Sequence, residues 1–163
     1  MEFKFEVVEK QDLNDSHRSL FAAMLKMQGK VQGDLSLKAD RCKSICIATC
    51  DGVAVAIGAI KRKTESDFSE RKADILELSK EFQWELGYLF TKPHFQGRKL
   101  AKSITKLLIE HFGSGNLMAS TEIKENPGMV KILESNAFML QGKPWKSAIH
   151  GNLIGLFLKM SYT

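Results

Sequence analysis

Three cations, Arg98, Lys99 and Lys102, stand together in the segment 96–102, whose sequence is Gln-Gly-Arg-Lys-Leu-Ala-Lys. An apolar pattern with helical spacing begins at Leu100, so the segment lies where a loop enters a helix. The first turn of a helix leaves backbone N–H groups without partners and carries partial positive charge. These donors and cations together predict a phosphate site. The alternative is an ordinary helix start with a solvated basic edge.

A strand before this segment and a helix after it must position the site. Trp84–Thr91 is rich in aromatic and apolar residues and lacks proline, which predicts a buried strand. Pro93 ends that strand because proline cannot donate to a sheet ladder. The helix that follows has one apolar face, which includes Leu100, Ile104, Leu107 and Leu108.

The segment resembles motif A of the GNAT superfamily, the acyl-CoA-dependent N-acyltransferases. That motif reads Q/R-x-x-G-x-G/A and lies between a strand and a helix. Gln96 matches its first position and Ala101 its last, whereas Lys99 stands where the family usually has glycine. The strand–loop–helix context makes the resemblance more specific than the hexapeptide alone.

A second segment, Asn126–Phe138, resembles the pattern N-x-x-A-x-x-x-Y-x-x-x-G-F found near the end of GNAT sequences. Two positions depart from that pattern: Leu133 occupies the tyrosine position and Ala137 the glycine position. Asn126 and Pro127 are residues typical of a helix start, one as the cap and the other at the first helical position.

The order of predicted elements, β-α-(α)-β-β-β-α-β-α-β-β, is that of the GNAT fold and covers essentially the whole chain. The resemblance therefore implies a single-domain α/β fold over residues 1–163, with a mixed, mostly antiparallel sheet, a splayed central parallel pair and flanking helices. A helix from Leu13 to Met27 is predicted, capped by Asp12 or Asn14 and closed by Gly29. The other strands are predicted over residues 2–9, 44–50, 53–61, 117–123, 138–140 and 152–160.

Two segments have no clear pattern. Residues 61–82 are densely charged, with a possible helix over 73–82, and are either a solvated insertion or a wall over a substrate site. Residues 142–145, Gly-Lys-Pro-Trp, are predicted to form a loop.

The resemblance implies acetyl-CoA as cosubstrate, held where the central parallel strands splay apart. Unpaired backbone groups of Leu89, Phe90 and Thr91 would bind the pantetheine amides, and one N–H would stabilise the oxyanion. The pyrophosphate would bind the backbone of Gln96 to Ala101. The implied cofactor-binding residues are Leu89, Phe90, Thr91, Gln96, Gly97, Arg98, Lys99, Leu100, Ala101, Lys102 and Asn126.

Acyl transfer to an amine needs a proton acceptor, because the amine is protonated at neutral pH. Glu85 lies in the predicted central strand, at a position where many GNAT enzymes carry a glutamate, and it is either the base or an ion-paired structural residue. Glu122 is a second candidate base. Tyr88 could protonate the leaving thiolate in place of the family tyrosine, or it could simply pack in the core.

Composition narrows the protein class. The chain has 163 residues, 44% of them hydrophobic and 26% charged, as in an ordinary globular domain. No apolar run is long enough to span a bilayer, and the start has no signal-peptide pattern, so a cytoplasmic location is expected. The three cysteines, Cys42, Cys46 and Cys50, are predicted to be reduced packing residues, with no metal site.

The net charge of +5 favours anionic ligands in general. Lys61, Arg62, Lys63, Arg71 and Lys72 are the feature that favours nucleic acid. They lack the interleaved aromatic residues on which bases would stack, so nucleic acid is an unlikely partner.

The resemblance therefore implies an N-acetyltransferase that transfers the acetyl group of acetyl-CoA to a primary amine of a small molecule or peptide, by direct attack in a ternary complex. A monomer or homodimer is expected. The alternatives are an acyltransferase with another acyl-CoA or acceptor, and a non-catalytic module that binds CoA or nucleic acid.

Overall fold

The computed structural model describes residues 1–161 of the chain. The strands and α-helices follow largely the order that the sequence predicts. In chain order they are β1 (Lys4–Glu9), α1 (Asp15–Gln28), β2 (Cys42–Cys50), β3 (Val53–Arg62), β4 (Trp84–Thr91), α2 (Leu100–Phe112), β5 (Leu117–Glu122), α3 (Pro127–Ser135), β6 (Met139–Lys146) and β7 (Leu153–Lys159).

The strands form a mixed seven-stranded sheet in the order β1-β2-β3-β4-β5-β7-β6. β4 and β5 are parallel, whereas the pairs β1–β2, β2–β3, β5–β7 and β6–β7 are antiparallel. The parallel pairing comprises Trp84 with Leu117 and Glu85 with Met118. This architecture confirms the predicted α/β class with a central parallel pair. No helix in residues 1–161 is long and apolar enough to cross a membrane.

The chain forms two compact units. The first comprises Met1–Arg62 and Leu86–Gly113, and the second comprises Lys63–Glu85 and the described residues from Ser114 onward. The chain passes from the second unit to the first within β4, between Glu85 and Leu86.

The first unit is built on β1, β2 and β3 with helices α1 and α2. The Asn14 side chain caps α1 by accepting a bond of 2.9 Å from the His17 N–H, and Gly29 ends the helix with a φ of 75°. β2 and β3 form a hairpin around Asp51 and Gly52, both with positive φ. The core contains Phe21, Leu25, Ile45, Ile47 and Ile57, all buried.

The second unit has a core of its own, to which the charged segment after β3 contributes. Phe68 and Phe82 are fully buried in it, with ring centroids 5.7 Å apart. The interpretation of this segment as a solvated insertion is therefore wrong for these residues. The predicted helix over 73–82 is also wrong, because Asp74 has a left-handed φ of 60° and a 3₁₀ turn follows over Leu76–Glu81.

The predicted loop at 142–145 is wrong as well, because these residues belong to β6. The pairing of β6 with β7 is irregular between Gln141 and Trp145. Since β6 is the last strand in the sheet order, Pro144 can lie in it without removing an interior ladder bond. The Lys143 N–H donates to the Ala73 carbonyl at 3.0 Å, which fixes β6 against the segment after β3.

Candidate functional site

The loop between β4 and α2 is shaped by two left-handed residues. Pro93–Phe95 form a single 3₁₀ turn, and Gln96 is extended. Gly97 has a φ of 80° and Lys99 a φ of 62°. The lysine therefore adopts a conformation that favours glycine, the residue usual at this position in the family pattern.

The N-terminus of α2 carries no side-chain cap in the part of the chain that the structure describes. The Ser103 N–H donates to the Lys99 carbonyl at 3.0 Å, so the N–H groups of residues 100–102 precede the bond ladder of the helix. Arg98, Lys99 and Lys102 are all exposed beside these donors. This is the arrangement of donors and charge that a phosphate site requires.

The end of β4 has one edge bound to β3. The Lys92 N–H donates to the Val55 carbonyl of β3 at 2.9 Å. Because backbone groups alternate in direction along a strand, Phe90 also faces β3, and Leu89 and Thr91 face the opposite edge. Of the three residues predicted to bind pantetheine, Leu89 and Thr91 therefore have backbone groups that face away from β3, where a ligand could lie.

The Leu89 carbonyl already has a partner, because Gln28 Nε2 at the end of α1 donates to it at 3.2 Å. Gln28 Oε1 is buried and accepts no bond from any described residue. Gln28 was not a predicted site residue, and no pattern in the sequence connects positions 28 and 89.

Tyr88 lies in β4 with a left-handed φ of 54°. A non-glycine residue with this conformation inside a strand stores backbone strain. Its ring packs edge-on against Phe21, with centroids 5.9 Å apart, and Lys61 Nζ lies 5.5 Å from the ring centroid. The phenol is thus part of a packed aromatic cluster in the first unit.

Glu85, the predicted base, pairs with Met118 of β5 in the second unit and is only 7% exposed. Its Oε1 accepts two bonds from Thr64, one from the backbone N–H and one from the hydroxyl, both 2.8 Å long. Thr64 lies 21 residues earlier in the chain, and the sequence analysis did not identify it. Glu122, the other candidate base, has Oε1 2.8 Å from His150 Nε2.

Asn126 acts as the cap of α3. Its Oδ1 accepts a bond of 3.3 Å from the Met129 N–H, and its Nδ2 lies 3.4 Å from Thr121 Oγ1. Leu133, at the tyrosine position of the family pattern, is fully buried in the same unit. Ala137, at the glycine position, has a left-handed φ of 68°.

The three cysteines are free and buried. Burial raises the pKa of the Cys42 and Cys46 thiols to about 12, so both stay protonated at neutral pH. Within residues 1–161, no group of three or more His, Cys, Asp or Glu side chains is arranged to hold a metal ion.

Two of the basic residues that favoured nucleic acid are engaged within the protein. Lys63 Nζ donates to the Ser79 carbonyl at 2.6 Å, and Lys72 Nζ lies 3.2 Å from Asp67 Oδ1. Lys72 also lies over the ring of Trp145, at 5.8 Å from its centroid. The ion pair of Lys72 with Asp67 reduces the charge that the cluster presents to a nucleic acid backbone.

Solved acetyltransferase structures match the chain over nearly its whole length. A chain of the NatC complex bound to Gag peptide and CoA has a TM-score of 0.72 at 11% identity, with 100% of both chains covered. A GNAT-family protein from Desulfovibrio desulfuricans has a TM-score of 0.63 at 12% identity, covering 98% of this chain and 99% of its own. The Salmonella typhimurium protein yncA, with its cofactor acetyl-CoA, has a TM-score of 0.62 at 12% identity, covering 97% and 93%.

The sequence itself matches no protein-family model and no curated protein. At identities this low, the structural similarity shows the fold alone. The chain therefore has the GNAT fold that the resemblance implied.

Proposed function

We propose that the protein is an acetyl-CoA-dependent N-acetyltransferase that acts on a primary amine. The observation that carries this proposal is the loop at 96–102, where two left-handed residues lead into a helix that no described side chain caps and that three exposed cations flank. In a chain with the GNAT fold, this loop has the composition and backbone that the pyrophosphate of CoA requires.

The pantetheine arm would extend along the edge of β4 that faces away from β3. The Leu89 N–H and the Thr91 backbone groups face that edge, and an extended ligand can bond to them as an additional strand would, whereas the Leu89 carbonyl is bound by Gln28. Phe90 would contribute through its side chain, since its backbone is directed at β3.

The proposed reaction is direct attack in a ternary complex. The amine nitrogen forms a bond to the acetyl carbonyl carbon, a backbone N–H of β4 stabilises the oxyanion, and the carbon–sulfur bond breaks to release the CoA thiolate. The buried state of all three cysteines supports this route over an acyl-cysteine intermediate. Protonated thiols are poor nucleophiles.

Glu85 is the proposed proton acceptor for the amine, and Glu122, paired with His150, is the second candidate. The proton that returns to the thiolate has no donor at Leu133, which lacks an ionisable group. Tyr88 is the phenol on β4, and its packing against Phe21 favours a structural role, so we expect water to complete the transfer. A thiol with an ordinary pKa of about 8.5 is already a tolerable leaving group at neutral pH.

The proposed acceptor is the amine of a small molecule or a peptide. Among the structural relatives, the NatC complex is bound to a peptide, which makes free peptide N-termini the first acceptors to test. A cytoplasmic location and a monomeric or homodimeric state remain predictions.

Calorimetry with acetyl-CoA, followed by a screen of amines for free thiol release, tests the proposal. We expect saturable binding and acceptor-dependent thiol release with at least one peptide or small amine. No binding of acetyl-CoA would overturn the proposal. Binding without turnover across the screen would favour a non-catalytic CoA module. A salt-dependent shift with DNA or RNA, without CoA binding, would favour the nucleic-acid alternative.

A further inference from the structure

The proposed reaction gives no role to the contact between Thr64 and Glu85. Two donors of one residue bind a single carboxylate oxygen: the N–H and the hydroxyl of Thr64 each lie 2.8 Å from Glu85 Oε1. A carboxylate that is only 7% exposed is costly to bury unless such bonds compensate its lost hydration. These two bonds hold Glu85 Oε1 beside Thr64.

Thr64 itself is anchored on both sides. The preceding N–H, of Lys63, donates to the Gln83 carbonyl at 3.1 Å, which ties this segment to the residues just before β4. The Thr64 carbonyl accepts a bond of 3.1 Å from the Asp67 N–H in the following 3₁₀ turn. The side chain of Lys63 is bound as well, to the carbonyl of Ser79. The backbone of Thr64 is therefore a fixed reference point for the carboxylate.

The hydroxyl of Thr64 is placed where it could cap the turn that follows, but it does not do so. Thr64 precedes the 3₁₀ turn Glu65–Phe68, where a threonine oxygen often accepts a bond from a backbone N–H of the turn. No such cap is formed, and the hydroxyl donates to Glu85. The geometry thus assigns the Thr64 side chain to the carboxylate and not to the local turn.

We propose that Thr64 is a positioning residue that orients the Glu85 carboxylate to receive the proton of the acceptor amine. The inference rests on the proposed transferase function and on Glu85 as its base. In this reaction the proton passes from the ammonium group to Glu85, directly or through water, and the freed amine attacks the thioester. Thr64 takes no proton; it holds the carboxylate in one orientation while the transfer occurs.

Thr64→Val and Thr64→Ser separate this role from simple packing. Valine keeps the shape and the backbone N–H bond but removes the hydroxyl donor, whereas serine retains the donor. We expect Thr64→Val to lower kcat about tenfold with KM for acetyl-CoA within about twofold of the parent, and Thr64→Ser to recover most of the rate. Thr49→Val, which removes a strand hydroxyl in the first unit, is the matched control and should leave kcat unchanged.

The double variant decides whether Thr64 acts through Glu85. If it does, Thr64→Val will have no further effect once Glu85→Gln has removed the carboxylate. The inference would be overturned if the losses in kcat of the two single variants multiplied in the double variant. It would also be overturned if Thr64→Ser and Thr64→Val lowered kcat equally. Thermal unfolding of each variant shows whether it is folded, and Thr64→Ser remains informative if the valine variant is not.

The failures of the two proposals can be distinguished. A parent protein that neither binds acetyl-CoA nor releases thiol overturns both the transferase and the role of Thr64. A parent that turns over, with Glu85→Gln equally active, leaves the transferase in place and overturns the base assignment together with Thr64. Full activity of Thr64→Val beside an impaired Glu85→Gln overturns the role of Thr64 alone.

Discussion

The two helices that follow the parallel strands begin in opposite ways. At α3, Asn126 accepts the Met129 N–H, and Pro127 at the first helical position has no N–H to satisfy. At α2, the residue before the helix is Lys99 in a left-handed conformation, and no described side chain caps the first turn. A side chain therefore binds a donor in the first turn of α3, whereas no described side chain does so at α2.

The charges around the two helix starts differ in the same sense. Arg98, Lys99 and Lys102 surround the start of α2, whereas one cation and one anion, Lys124 and Glu125, precede the cap of α3. A helix N-terminus attracts anions through its donors and dipole, but a side-chain cap occupies those donors. The comparison supports the proposed phosphate site at the start of α2, and it identifies a side-chain cap at the start of α3. The Oδ1 of Asn126, which the resemblance grouped with the cofactor-binding residues, accepts the Met129 N–H of this helix.

Arg98→Glu should have the largest effect on acetyl-CoA affinity. An unchanged affinity would contradict the difference between the two helix starts. Repulsion replaces attraction at the start of α2, so we expect acetyl-CoA affinity to fall by at least about tenfold, which is about 1.4 kcal/mol. Calorimetry measures the affinity. Lys106→Glu makes the same change of charge on an exposed position further along α2 and should have a much smaller effect. Equal affinities for Arg98→Glu and the parent would remove the phosphate site from this loop.

Asn126→Ala should instead affect stability. Removing the cap of α3 is expected to lower the free energy of unfolding by about 1 kcal/mol, because an N–H of the first turn loses its acceptor. A urea denaturation midpoint measures this loss, and acetyl-CoA affinity should stay within about twofold of the parent. Lys99→Ala at the corresponding position of α2 should change stability much less, since that side chain caps nothing. A normal stability for Asn126→Ala with weakened CoA binding would show that Asn126 serves the ligand.

The regular elements were predictable because each has a strong local pattern. Trp84–Thr91 forms β4 as predicted, and Asn126 and Pro127 start α3. The segment after β3 was not predictable in the same way, since Phe68 and Phe82 are isolated among charged residues and are buried only by tertiary packing. The prediction of one domain over residues 1–163 stays a prediction.

The candidate site was predictable where its residues lie in one continuous stretch of sequence. The loop at 96–102 carries its cations and Gly97 in one continuous stretch. The bonds from Thr64 to Glu85 and from Gln28 to Leu89 join residues far apart in the chain, and neither donor has a distinctive residue type. Such contacts form only when the chain folds, so local sequence patterns do not predict them.

The smallest expected effect comes from the two positions where the family pattern has glycine. Lys99 and Ala137 have φ values of 62° and 68°, a conformation that costs a side-chain-bearing residue about 1–2 kcal/mol. Glycine relieves that cost but gives up about 0.4–1 kcal/mol through the greater freedom of the unfolded chain. We therefore expect Lys99→Gly and Ala137→Gly each to raise the free energy of unfolding by about 0.5–1 kcal/mol, measured by urea denaturation.

Acetyl-CoA affinity then separates the two positions. Ala137→Gly should leave it unchanged, because Ala137 follows α3 and carries no charge. Lys99→Gly removes one of three cations beside the start of α2 and should weaken binding by no more than about fivefold, since Arg98 and Lys102 remain. If Lys99→Gly lowered stability, the left-handed backbone at position 99 would not be strained. If it strengthened binding, the lysine side chain would obstruct the ligand more than its charge attracts it, and the glycine usual at this position would be explained by access alone.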